Sequence, residues 1–197
     1  MSDPETLRVY AAKHADYATR TDDHNKTDPL LAAFIANLDS GGRALDLGCG
    51  PGASAAAMAR AGLRVTAVDA VAEMVALAAR HPGVTALQQR FEDIDGTGIY
   101  GGIWANFSLL HADRAALPDI LGALHRALVP KGRLHIAMKL GNGTQRDNLG
   151  RLYTYVTENE LRGLLGGAGF TITEKAEGRD KGLDGTYADW IALAAYG

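Results

Sequence analysis

Asp46, Gly48, Gly50, Gly52 and Asp69 are the residues of this 197-residue chain whose types and spacing could do chemistry. They fall in "ALDLGCGPGAS", residues 44–54, and "VTAVDAV", residues 65–71. Glycines directly behind a short apolar run let the backbone come close to a ligand, since no Cβ stands in the way. A nucleoside triphosphate is a poor fit. Its loop needs G-x-x-x-x-G-K-[ST], and no lysine with an adjacent hydroxyl follows Gly52. A dinucleotide fits the spacing: Gly48-x-Gly50-x-x-Ala53 satisfies G-x-G-x-x-G/A, and Asp69 stands where an acid would hold a ribose diol. Spacing alone leaves that reading beside a third one, a cationic ligand. Asp46 distinguishes them chemically. An acid in front of the turn opposes a pyrophosphate but suits a ligand with an ammonium group and a sulfonium.

Other residues could serve a second reactant. Tyr10, His14 and Tyr17 recur at i, i+4 and i+7 and so share one face of a first helix. His111 follows "SLL" after a short apolar run and could act as a base or orienter. Lys139, Arg146 and Arg151 surround a glycine-rich loop and could greet an anion, with solvated loop charge as the plain alternative. The single cysteine, Cys49, reads as packing, and it fits a reducing cytoplasm. Six histidines with one cysteine show no ligand spacing, so no metal is expected.

The elements that must position these residues alternate. Helices are expected from Asp3 to about Arg20, capped by Ser2 or Asp3, and from Thr27 or Asp28 through Leu38. Strands are expected at Arg43–Leu47, Arg64–Val68, Val84–Gln88, Ile103–Phe107 and Arg133–Lys139. Helices at Ala53–Ala61, Ala72–Arg80 and Leu117–Leu128 separate them, with "VPKG" as a turn. "GNGTQRDNLGR" has no periodicity and reads as a loop. Thr157 and Glu160 form a capping box for a helix at Glu158–Gly166. Strands at Thr171–Glu174 and Trp190–Ala195 close the chain without a helix between them, so they should pair antiparallel.

This order specifies an α/β protein: a three-layer, doubly wound sandwich with a seven-stranded, mostly parallel sheet and one antiparallel edge strand. Residues 1–197 read as one domain, with 1–40 a helical segment of its own. Gly48, Asp69, Asn106 and Lys139 all fall at strand ends and should gather on one rim, where such sheets bind ligands. A net charge of −3 leaves no electrostatic footprint for nucleic acid or an anionic membrane. No apolar run is long enough to span a bilayer, and the N-terminus has no secretion signal.

The ordered set of motifs resembles the class I S-adenosylmethionine-dependent methyltransferases, over about Gly41 to Phe170. "LDLGCGPG" is similar to their first motif and "VTAVDAVAEMVALA" to the second strand, acid and helix. "FEDID", "IWANFSLLH", "LHRALVPKGRLHIAMK" and "YVTENELRGLLGGAGF" resemble the later elements in order. The chain is also similar to small bacterial methyltransferase-domain proteins, including a tellurite-resistance-like group. The resemblance implies a Rossmann-like fold and methyl transfer from S-adenosyl-L-methionine to a small-molecule acceptor, an anionic one included. It implies that Gly48 and Gly50 admit the methionyl part, with Asp46 anchoring its ammonium end. Asp69 would take the ribose hydroxyls, and a carboxylate capping the next helix is its plain alternative. Ala70, Val71, Phe91 and Glu92 would line the adenine, and Asn106 the cofactor rim. Arg90 departs from the relatives, many of which place an acid there. Tyr17 and His111 are the catalytic candidates, and 1–40 would form a lid.

The run Asn106–Leu109 lacks the prolines of base-modifying relatives, which argues against DNA or RNA. A cytoplasmic monomer or homodimer acting on a small molecule, or on a chalcogen oxyanion, is the expected form. The alternatives are an NAD(P)-dependent reductase, whose short-chain Tyr-x-x-x-Lys is absent, and a non-catalytic S-adenosylmethionine-binding protein.

Overall fold

The computed structural model describes residues 3–24 and 28–197. Helix α1 spans Pro4–His24 and α2 spans Pro29–Ala36. Then follow β1 (Arg43–Leu47), α3 (Ala53–Arg60), β2 (Arg64–Asp69), α4 (Ala72–Ala78), β3 (Val84–Gln88), β4 (Tyr100–Asn106), α5 (Leu117–Ala127) and β5 (Leu128–Lys139). The chain ends with β6 (Thr144–Arg146), β7 (Leu152–Thr154), α6 (Glu158–Gly167), β8 (Thr171–Lys181) and β9 (Tyr187–Tyr196).

Among the described residues, seven strands form one sheet in the order β3-β2-β1-β4-β5-β9-β8. The pairs among β1 to β5 are parallel. The reversed strand belongs to the edge hairpin: β9 runs against both β5 and β8, and so lies one place in from the rim. The central parallel strands β1 and β4 are nearly continuous buried apolar runs because both faces are covered, whereas β3 at the edge is largely exposed. On one face, α5 buries Leu117, Ile120, Leu121 and Leu124 at helical spacing, with Leu45, Ile103 and Ile136 beneath. On the other, α2 and α3 bury Leu31, Phe34, Ala55 and Met58 over Val65 and Trp104. Gly102 allows this approach, since a Cβ there would come within 2.7 Å of Phe34 and 2.8 Å of Leu38.

Asp3 caps α1 by accepting from Thr6 N–H at 2.8 Å, and Asp28 caps α2 by accepting from Leu30 N–H at 2.8 Å. Ser2 and Thr27, the other cap candidates, lie outside the described residues. Three segments differ from expectation. "VPKG" is not a free turn but part of β5. Its register shifts between Tyr100 and Gly102 of β4, and Lys131 adopts φ 63 to make the bulge. The loop after β5 contains the β6–β7 hairpin. The last two strands run far past their apolar cores, with β8 exposing most of its polar residues as a charged edge.

Candidate functional site

The carboxyl ends of β1, β2 and β4 open into one pocket. Of the eleven residues expected to hold the cofactor or act in catalysis, nine line it: Gly48, Gly50, Asp69, Ala70, Val71, Phe91, Asn106, Tyr17 and His111. Asp46 and Glu92 do not. Asp46 is buried on β1 behind the glycine turn, and Glu92 is exposed on the short 3-10 turn Phe91–Asp93. His14 is also absent from the lining. It turns back to the Ala11 carbonyl at 2.7 Å, next to a non-helical kink at Lys13 (φ −112, ψ 15) that breaks the expected helix face.

The glycine turn is built for close approach. Gly48 and Gly50 have φ 70 and φ 53. A Cβ on Gly48 would overlap the Ser108 side chain, and one on Gly50 would lie 3.3 Å from Cε1 of Tyr17. Asp69 closes the turn. Its Oδ2 accepts from Gly50 N–H at 2.9 Å and its Oδ1 from Val71 N–H at 2.9 Å. Burial raises the Asp69 pKa, while these N–H groups lower it. The helix-entry role and the cavity role therefore fall on one side chain.

Asp46 is the anomaly. Burial pushes its pKa up to about 7, against a backbone hydrogen bond at Ala55 and with help from the Asp69 charge. Among the described residues its Oδ2 is buried with no hydrogen-bond partner, as are the Oγ of cavity-lining Ser108 and, deeper under α2, the Nε1 of Trp104. Buried polar atoms are nearly always paired, so two orphans flanking one turn mark a place where a ligand is wanted.

The α1 side of the cavity is a hydrogen-bonded brace. Arg151 Nη1 donates to Tyr10 Oη at 2.9 Å, and Tyr10 Oη lies 2.9 Å from His111 Nε2. His111 Nδ1 lies 2.7 Å from the Leu152 carbonyl, which can only accept. Nδ1 therefore carries the proton, and Tyr10 O–H donates to Nε2. Burial lowers the His111 pKa to about 4, with Arg151 and Lys139 adding to the fall and the Leu152 bond opposing it. Both nitrogens are occupied, so of the two roles expected of this histidine, base or orienter, the neutral, hydrogen-bonded ring in this arrangement suits the second. Tyr17 packs its ring edge-to-face on Tyr10 at 5.6 Å, and burial raises its pKa.

Two of the three loop cations are committed. Arg151, expected as a rim charge, is 2 % exposed, and its Nε and Nη2 donate to Asp147 Oδ2 at 2.8 and 2.6 Å. Arg146 donates to both oxygens of Asp3 at 2.9 Å, strapping α1 to β6. Asn106 accepts at Oδ1 from His135 Nε2 at 3.1 Å, and His135 stacks on Trp104 at 3.7 Å. This leaves the Asn106 amide N–H groups as cavity donors.

Sequence reading missed Thr6, Leu7, Met74, Phe107 and Ser108, which also line the cavity. Only Ser108 had a possible signal, its place just past a strand end. No helix among the described residues is long and apolar enough to cross a membrane.

Residues 44–132 match the family described as methyltransferase domain. The chain is 35% identical over 122 residues to a ubiquinone biosynthesis O-methyltransferase of Xanthomonas oryzae pv. oryzae, covering 56% of this chain and 49% of that one. The corresponding protein of Xylella fastidiosa is 34% identical over 132 residues, covering 59% and 52%. The chain thus spans about half the length of these curated relatives. The crystal structure of Burkholderia thailandensis 1,6-didemethyltoxoflavin-N1-methyltransferase with bound 1,6-didemethyltoxoflavin and S-adenosylhomocysteine superposes with a TM-score of 0.72 at 26% identity. That match covers 100% of this chain and 91% of that one. A SAM-dependent methyltransferase of Methanosarcina mazei shares the fold, with a TM-score of 0.75 at 19% identity over 86% and 97%.

Proposed function

From a chain that carries a methyltransferase domain on the class I, S-adenosylmethionine-dependent methyltransferase fold, we infer that it binds S-adenosylmethionine at the glycine turn and methylates a small molecule. The observation that carries this reading is Asp46, a buried acid with an unpartnered oxygen behind Gly48. A pyrophosphate would leave that oxygen stranded, whereas a cationic amino-acid tail would compensate it. Such a tail is also what the Ser108 hydroxyl beside Gly48 can receive.

Asp69 would hold the ribose. An ionised carboxylate has about four acceptor sites, so it can keep Gly50 and Val71 and still accept from two hydroxyls. Ala70, Val71 and Phe91 would flank the adenine. Glu92 would reach its amine only if the turn at residues 91–93 swung inward, so Phe91 is assigned that edge. Asn106 would donate from the opposite rim.

When bound, S-adenosylmethionine supplies a methyl group already activated on a sulfonium. The protein's share is then orientation, which can contribute several kcal/mol without a catalytic base. Tyr17, seated on Gly50, would bound the space where acceptor and methyl meet. His111 would fix Tyr10, and thereby the position of α1, rather than take a proton. Helix α1 would act as the lid of a single domain. Helix α2 would not, since it packs under β4 on Gly102 and Trp104.

The acceptor is a small molecule, in keeping with the relatives' names. The same reading makes the protein a cytoplasmic monomer or homodimer without a nucleic-acid partner. Calorimetric titration tests it: S-adenosylhomocysteine should bind at micromolar concentration and NADH should not. NADH binding alone would restore the dinucleotide reading.

A further inference from the structure

The geometry points to Lys139 as the residue that selects the methyl acceptor, and to an acceptor with a planar ring and an anionic oxygen substituent, such as an aromatic carboxylate. This rests on the methyl-transfer reading above.

Lys139 ends β5, on the rim that also holds Asp69 and Asn106. Of the three cations around the following loop, Arg146 is spent on Asp3 and Glu5, and Arg151 on Asp147 and Tyr10. Lys139 Nζ makes no ion pair among the described residues. It rests over the Tyr153 ring, 4.0 Å from its centroid. Asp184, the nearest acid in charge terms, gives its carboxylate to Thr186, accepting from N–H at 3.2 Å and from the hydroxyl at 2.7 and 2.9 Å. Burial lowers the Lys139 pKa and Arg151 lowers it further, while Asp184 and Asp147 oppose the fall. A half-buried ammonium held on an aromatic face and lacking a counter-ion is a place for an anion.

The second observation is independent. Phe107 lines the cavity with φ 53, a left-handed conformation that bulky residues rarely adopt. Such strain persists only where the surroundings impose it, and it clusters at ligand sites. Here it holds a large apolar ring 36% exposed, edge-to-face with Trp190 at 5.9 Å. Trp190 is the cross-strand partner of Lys139. Phe107 on the cavity wall thus touches Trp190, whose backbone pairs with that of Lys139 at the end of β5. A flat ring lying along Phe107 would carry its anionic substituent toward Lys139.

The test compares two probes of nearly equal shape, 4-hydroxybenzoate and uncharged 4-hydroxybenzyl alcohol. Each is titrated into the full chain with and without saturating S-adenosylhomocysteine. The carboxylate should bind at least about tenfold tighter than the alcohol. Lys139→Met should erase that preference while leaving S-adenosylhomocysteine affinity within about twofold. Lys139→Gln carries the same expectation should the methionine variant fail to fold, and Lys139→Arg should retain the preference by keeping the charge. Phe107→Ala should weaken both probes alike, by about threefold. An absent preference, a preference that survives Lys139→Met, or no binding of either probe would overturn the inference. So would an equal loss of S-adenosylhomocysteine affinity in the Lys139 variants. The arm without S-adenosylhomocysteine reads the preference by itself, so failure of the nucleoside to bind strikes the cofactor reading alone.

Discussion

The hydroxyl of Tyr10 on α1 stands 2.9 Å from Nε2 of His111, one of several bonds that join the helix over the cavity to the rim beneath it. Arg151 donates to the same hydroxyl, and His111 donates onward to Leu152, so the chain of donors has a single direction.

That direction makes His111 a neutral Nδ1–H tautomer across the physiological range. Its pKa near 4, below the ordinary 6.5, means that the folded chain resists protonation which the unfolded chain accepts. His111 therefore adds stability above pH 6.5 that is lost as pH falls toward 4. Nitrogen-15 NMR should show the ring neutral at pH 6, and Tyr10→Phe should cost about 1–3 kcal/mol in urea unfolding. A His111 titrating at or above 6.5 would contradict the brace.

Asp46 has the opposite sign. With its pKa raised from 3.8 to about 7, the folded chain keeps a proton between those values that the unfolded chain has lost. Its contribution to stability falls as pH rises through that window. A ligand with an ammonium group should expel the proton. Calorimetry with S-adenosylhomocysteine near pH 6, in buffers of different ionisation enthalpy, should report release of up to about one proton. Asp46→Asn should abolish the release. Release that persists in that variant assigns the proton elsewhere.

Asp69→Ala removes an acceptor from two backbone N–H groups as well as from the proposed ribose site. Affinity for S-adenosylhomocysteine should fall by about 1–3 kcal/mol, the penalty for stranded polar groups, and the melting temperature should fall with it. Adenosine, which shares the ribose, should lose a comparable amount. Unchanged affinity for both would move the ribose site.

Arg151 and Asp147 form a buried ion pair at 2.6 Å. Removing either partner leaves an unpaired buried charge and should cost about 3–5 kcal/mol, whereas the double change Arg151→Met with Asp147→Leu should cost less than either single change. Urea unfolding of the three variants decides it. Single variants within about 0.5 kcal/mol of the parent would place the pair in solvent.

These relationships differ in how far the sequence displays them. The alternation of apolar runs with helical periods marks the central strands β1 and β4 and the helices around them, because burial on both sheet faces imposes those patterns directly. The glycine turn and Asp69 were legible because their conformations demand particular residue types: positive φ at Gly48 and Gly50, and an acceptor for the exposed N–H groups. The β6–β7 hairpin was not. Its register is set by Asp147, which accepts from Leu149 and Arg151 N–H and pairs with the Arg151 side chain, and such polar bonds leave no hydrophobic period. For the same reason Arg151 looked like a solvated charge. His111 stood out by type, but its role is decided by Tyr10 and Leu152, far from it in sequence.

The most direct measurement of the central claim is a crystal structure of the chain with S-adenosylhomocysteine. The account predicts both ribose hydroxyls on Asp69, the adenine between Val71 and Phe91, and the amino-acid end over Gly48 toward Asp46 and Ser108. An Asp69 bonded only to Gly50 and Val71, with the nucleoside elsewhere or absent, would contradict it.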